Sequence, residues 1–132
     1  MNDTNINFYD SEHEDYFWRF AAMFGGNYDP YRFSAAYLIA LDRNCREHYS
    51  DIFDFSEQVI IPEGLNKAWQ TSTSKKTTRL MMNLWNGYNS EGEPIEEEQP
   101  SSYYTPENIF SCSYAPYYWQ AIKLRYPEYM GE

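Results

Sequence analysis

The chain has 132 residues, enough for one domain in which roughly two thirds of the unfolded surface can be buried. Ten basic against twenty acidic residues give a net charge of −10, which disfavours direct binding to nucleic acid or an anionic membrane and makes a protein with a basic surface the natural partner. With 14 Tyr, 8 Phe and 4 Trp, the apolar content resides in large flat side chains that suit both a core and a binding surface.

Residues 1–10 are polar and acidic without a signal-peptide pattern, so a cytoplasmic, reducing setting with Cys45 and Cys112 as free thiols is expected. Ser11 followed by Glu14 has the spacing of a capping box and predicts a helix over 12–24, with Phe17, Phe20 and Phe24 on one face and Gly25-Gly26 closing it. Asp29-Pro30 then opens a second helix reaching Asp42. Its residues 35–41 are apolar nearly all round, the pattern of a central buried helix, and the run is far shorter than the ~20 residues that cross a bilayer.

Asn44 with Glu47 offers another capping box for a short helix over 45–53. Val59-Ile60-Ile61 could form a minimal strand, although no second alternating run is evident to pair with it, so a substantial sheet is not expected. With Thr73 or Ser74 as N-cap, residues 75–86 predict a helix burying Leu80, Met81, Leu84 and Trp85, and Gly87 ends it. Residues 88–102 contain five acids and no base among Gly, Pro and Ser, the composition of a flexible loop within the domain. Thr105-Pro106-Glu107 signals a short helix to about Ser111. Ala115-Pro116 opens a last helix that stops before Pro127, with Tyr118, Trp119, Ile122 and Tyr126 inward. The fold class is therefore mainly α, a compact single domain over 1–132 with about five to six helices.

Catalytic chemistry leaves no mark on this chain. No glycine-flanked serine elbow or phosphate loop is present, and neither cysteine has zinc-ligand spacing. His13 in Glu12-His13-Glu14-Asp15 shares a helix face with Tyr16 and Phe17 and not with its flanking acids, which favours a structural histidine over a metal ligand shared with His48. No metal or cofactor is expected.

Charge is unevenly distributed. Residues 64–86 hold Lys67, Lys75, Lys76 and Arg79 without an acid, whereas acids cluster over 3–15, 42–63 and 91–98. Cations near a helix start oppose its macrodipole. Trp69, Gln70, Thr71, Ser74, Lys75 and Arg79 are thus the candidate residues for holding a phosphate or carboxylate, set against the simpler reading of loose pairing with the protein's own acids.

Several strings carry a resemblance. They are Phe8-Tyr9 with Glu12-His13, Trp69-Gln70-Thr71 with Ser74, Arg79-Leu80, Asn83-Leu84-Trp85-Asn86-Gly87, Ala115-Pro116-Tyr117-Tyr118, and Ala121-Ile122-Lys123-Leu124-Arg125-Tyr126-Pro127-Glu128. In these the chain resembles an uncharacterised family of small acidic proteins from Gram-positive bacteria of the Firmicutes group, found in chromosomes and on phages and other mobile elements. The resemblance implies an origin and no activity, substrate or catalytic residue. It also picks out Arg79, Asn83 and Asn86. Arg79 and Asn83 lie one helical turn apart and are expected to hydrogen-bond connecting loops, while Asn86 closes the helix.

The functional expectation is a non-enzymatic acidic interaction protein whose Glu91, Glu93, Glu96, Glu97 and Glu98 meet a basic protein partner. Spaced carboxylates could imitate the phosphates of DNA and block a host defence or nucleic-acid-binding protein in the manner of an anti-CRISPR inhibitor. The aromatic last helix could equally serve a homodimer. The alternative is a small enzyme or ligand-binding domain holding an anionic or phosphorylated compound between Lys75 and Arg79.

Overall fold

A computed structural model describes residues 6–25, 29–89 and 100–129. Among the described residues there are six α-helices: α1 (Ser11–Ala22), α2 (Pro30–Leu41), α3 (Arg43–Glu47), α4 (Ser72–Asn86), α5 (Pro106–Ile109) and α6 (Ala115–Arg125). A two-stranded antiparallel hairpin, β1 (Phe53–Asp54) and β2 (Val59–Ile60), lies between α3 and α4. The protein is mainly helical and compact, and no described helix is long and apolar enough to cross a membrane.

Helix α2 is the axis of the fold and packs against α1, α4 and α6. Every residue from Ser34 to Leu41 is buried, as its all-round apolar sequence predicts. Ala35, Ala36 and Ala40 keep its surface low, so neighbouring helices approach closely, while Tyr37, Leu38 and Ile39 fill the space between them. Each large side chain buried in this way contributes about 1.5–3 kcal/mol. Arg46 closes the C-terminal end of α2. Its Nε donates to the Ala40 carbonyl at 3.0 Å and its Nη2 to that of Leu41 at 3.4 Å, placing a cation where the macrodipole is negative.

The helix starts differ from expectation in a consistent way. Asp10, not Ser11, caps α1, because an extended aspartate one residue earlier accepts from the His13 N–H at 2.8 Å with a full negative charge. Asp42, not Asn44, caps α3 by accepting from Cys45 N–H at 3.1 Å. The predicted helix over 45–53 accordingly ends at Glu47 and is followed by a 3-10 turn, Tyr49–Asp51. Thr71, not Thr73 or Ser74, caps α4, which therefore begins at Ser72. Gly87, with φ of 82°, ends that helix in the left-handed region that glycine adopts without penalty.

Val59-Ile60 does find a partner. Phe53 pairs with Ile60 and Asp54 with Val59, strands too short for alternation to show in the sequence. The Gln58 Oε1 accepts from Arg32 Nε at 3.0 Å and Nη2 at 2.7 Å, which ties the hairpin to the first turn of α2. In α6, Tyr118 faces the core as expected, but Trp119 faces out; Gln120, Ala121 and Leu124 are the residues inside, with Ile122 and Tyr126 half-buried. Of the acidic segment 88–102, residues 90–99 lie outside the described residues, and Pro100–Tyr104 forms a 3-10 turn.

Candidate functional site

Two helix starts carry the polar chemistry. At α4, the Thr71 N–H donates to Ser74 Oγ at 2.7 Å and the Ser74 N–H donates to Thr71 Oγ1 at 3.0 Å, a complete capping box. The Ser74 hydroxyl in turn donates to Gln70 Oε1 at 2.6 Å. The Gln70 amide donates to the Gly64 carbonyl and to Thr78 Oγ1, both at 3.2 Å, and Thr78 Oγ1 lies 3.4 Å from the Cys45 thiol. Ser74, Thr78 and Cys45 are buried, and burial pushes the Cys45 thiol well above its ordinary pKa, so it stays protonated and unreactive.

Trp69 closes the outer edge of this network. Its indole N–H donates to Asp51 at 2.9 Å while its ring stacks on His48, centroids 4.7 Å apart and planes 11° from parallel. Gly64 is required beneath it, since a Cβ there would stand 2.2 Å from the Asp51 carbonyl oxygen. Lys75 and Lys76 are half-buried at the fourth and fifth positions of α4, past its first residues, where opposition to the macrodipole is greatest. The Arg79 guanidinium covers the Tyr103 ring at 4.3 Å. The structure thus links Gln70, Thr71 and Ser74 in one hydrogen-bonded unit that braces α4 against α3 and the Pro62–Asn66 turn, while Trp69 beside it bonds to Asp51 instead. Asn83 and Asn86 hold the other end: Asn83 Nδ2 donates to the Tyr88 carbonyl and Asn86 Oδ1 accepts from the Tyr88 N–H.

The start of α1 is built the other way. His13 is buried, its Nδ1 accepting from the Tyr9 N–H at 3.0 Å and its Nε2 lying 2.9 Å from the Tyr37 carbonyl, which sets the tautomer with hydrogen on Nε2. Burial lowers its pKa to about 4, outweighing the Tyr37 hydrogen bond, so the imidazole is neutral at pH 7. Around it Asp10, Glu12, Glu14 and Asp15 are exposed. Tyr9 is 50 % exposed, yet its ring meets Tyr114 at 5.5 Å and Tyr117 at 5.4 Å, edge to face. This trio joins distant parts of the chain, and no local spacing announces it.

Residues 3–132 match a family described as a family of unknown function (DUF6075). The chain belongs to that family. No curated protein and no solved structure matches it.

In this member of DUF6075 the arginines are engaged by the protein itself. Arg32, Arg43 and Arg46 pair with Asp29, Glu47 and Glu12, while Arg19, Arg79 and Arg125 lie over Tyr16, Tyr103 and the pair Tyr31 and Tyr126. Exposed carboxylates remain at Asp10, Glu14, Asp15, Glu57, Glu63 and Glu107. Glu91, Glu93, Glu96, Glu97 and Glu98, expected to meet a partner, lie outside the described residues. No three His, Cys, Asp or Glu side chains among the described residues gather into a set that could hold a metal ion.

Proposed function

We propose that the protein is a non-enzymatic interaction protein whose acidic exterior binds a macromolecule with a basic surface. One observation carries this: the arginines are engaged by the protein's own carboxylates, carbonyls and rings, while carboxylates stand exposed at the start of α1 and along the 51–63 segment, in a chain whose net charge is −10. A field of one sign steers an oppositely charged partner and discriminates against acidic ones. With the mobile-element setting that the family resemblance implies, the partner class we favour is a host defence or nucleic-acid-binding protein, whose phosphate-binding groove the spaced carboxylates would occupy.

Affinity purification from the host at low and moderate salt tests this. Recovery of a basic protein that wild type retains, that a Glu14→Gln/Asp15→Asn variant releases, and that duplex DNA displaces is the expected result. Recovery of no such protein at either salt contradicts it. A thermal shift with a single small anion, lost on Lys75→Ala/Arg79→Ala, would favour the ligand-binding alternative instead.

A further inference from the structure

The surface formed by Tyr9, Tyr114 and Tyr117 has an arrangement that the rest of the fold explains. Residues 7–9 are fixed at three points: the Asn7 N–H donates to Gln120 Oε1 at 2.8 Å, the Tyr37 hydroxyl donates to the Asn7 carbonyl, and the Tyr9 N–H donates to His13. Tyr9 is therefore held in place while half its surface stays open, the preorganised state that lowers the entropic cost of binding. The Tyr114 hydroxyl faces Asp42, and burial together with that carboxylate pushes its pKa up, so the phenol stays neutral.

Elsewhere in the molecule a guanidinium covers an electron-rich ring: Arg19 and Arg46 over Tyr16, Arg79 over Tyr103, and Arg125 between Tyr31 and Tyr126. Among the described residues no guanidinium covers Tyr9, Tyr114 or Tyr117. Exposed Asp10, Glu12 and Glu14 follow Tyr9 directly, and the two arginines whose charge reaches Glu12 are engaged within the protein: Arg46 is buried and paired with Glu12 itself, and Arg43 is paired with Glu47. Rings without a cation beside carboxylates in excess are complementary to an arginine supplied from outside.

We propose that the Tyr9, Tyr114 and Tyr117 surface, with the acids of the first turn of α1, docks an arginine-bearing segment of the basic partner. The guanidinium stacks on the open Tyr9 ring while Asp10 and Glu14 hold its charge. This rests on the acidic-exterior reading above and names the site and the residue type it selects. Arginine is distinguished from lysine here because its planar, weakly hydrated group stacks on a ring, whereas a carboxylate field alone attracts both.

Fluorescence anisotropy of labelled oligoarginine and oligolysine peptides of equal length, titrated with the full chain, reads this directly. Wild type binds oligoarginine more tightly than oligolysine. Tyr9→Ala and Tyr117→Ala each weaken oligoarginine binding about two- to fivefold and reduce the arginine preference. Tyr9→Leu, which keeps apolar area without the phenol ring, does the same, and Trp119→Ala, an exposed aromatic on another face of α6, has no effect. Unchanged thermal melting shows that the tyrosine variants are folded. If folded Tyr9 and Tyr117 variants keep the arginine preference, the docking surface is wrong and the acidic-exterior reading stands. If wild type binds neither peptide, both are wrong.

Discussion

The starts of α1 and α4 use the same physics to opposite ends. Each is capped by a side chain that accepts from the N–H three residues on, Asp10 from His13 and Thr71 from Ser74. At α4 the remaining polar groups turn inward, linking Gln70, Ser74, Thr78 and Cys45 into a buried network. At α1 the single inward group is His13, and the carboxylates and the Tyr9 ring face solvent. The composition of α4 is the more unusual in the sequence, but composition does not say which way a polar group points.

Breaking the buried side of the α1 start should have the largest effect. Arg46→Met leaves the buried Ala40 and Leu41 carbonyls without their donor, while Glu12 is solvated, and urea unfolding is expected to show a loss of about 3 kcal/mol. His13 contributes a pH dependence. Its folded pKa of about 4 lies below the ordinary 6.5, so between those values the unfolded chain binds the proton and the folded one does not. This contribution is complete above pH 6.5 and declines by about 3 kcal/mol as pH falls to 4. Unfolding midpoints followed across that range should show the decline, and His13→Gln, which still offers a donor to Tyr37, should flatten it.

Smaller effects sharpen the contrast between the two caps. Ser74→Ala removes the acceptor for Thr71 N–H and the donor to Gln70, for an expected loss of about 1–2 kcal/mol. Asp10→Ala should cost about 1 kcal/mol, whereas Ser11→Ala, which alters an exposed residue that is not the cap, should stay within about 0.5 kcal/mol. Equal losses at Asp10 and Ser11 would restore Ser11 as the cap.

Much of the fold was legible because its signals are local. Asp29-Pro30, Thr105-Pro106 and Gly87 mark helix ends by chemistry that operates within one turn, and the apolar run of α2 permits only a buried position. Where two capping residues stood close together, as with Asp10 and Ser11 or Asp42 and Asn44, the earlier acid prevailed. The inward face of α6 was not legible, because Tyr117, Tyr118, Trp119, Ala121, Ile122 and Leu124 surround the helix and give the pattern no phase. Nor was the Tyr9 trio, which forms only when the first described segment lies against α6 through Asn7 and Gln120.

The most direct test of outward charge as the binding determinant is the salt dependence of oligoarginine affinity for wild type, for Glu14→Gln/Asp15→Asn, and for Lys75→Gln/Lys76→Gln. Wild-type affinity should fall as salt rises, the acid-neutralised variant should bind more weakly with a shallower salt dependence, and the lysine variant should bind at least as well as wild type. Affinity indifferent to salt and to loss of the α1 carboxylates would contradict it.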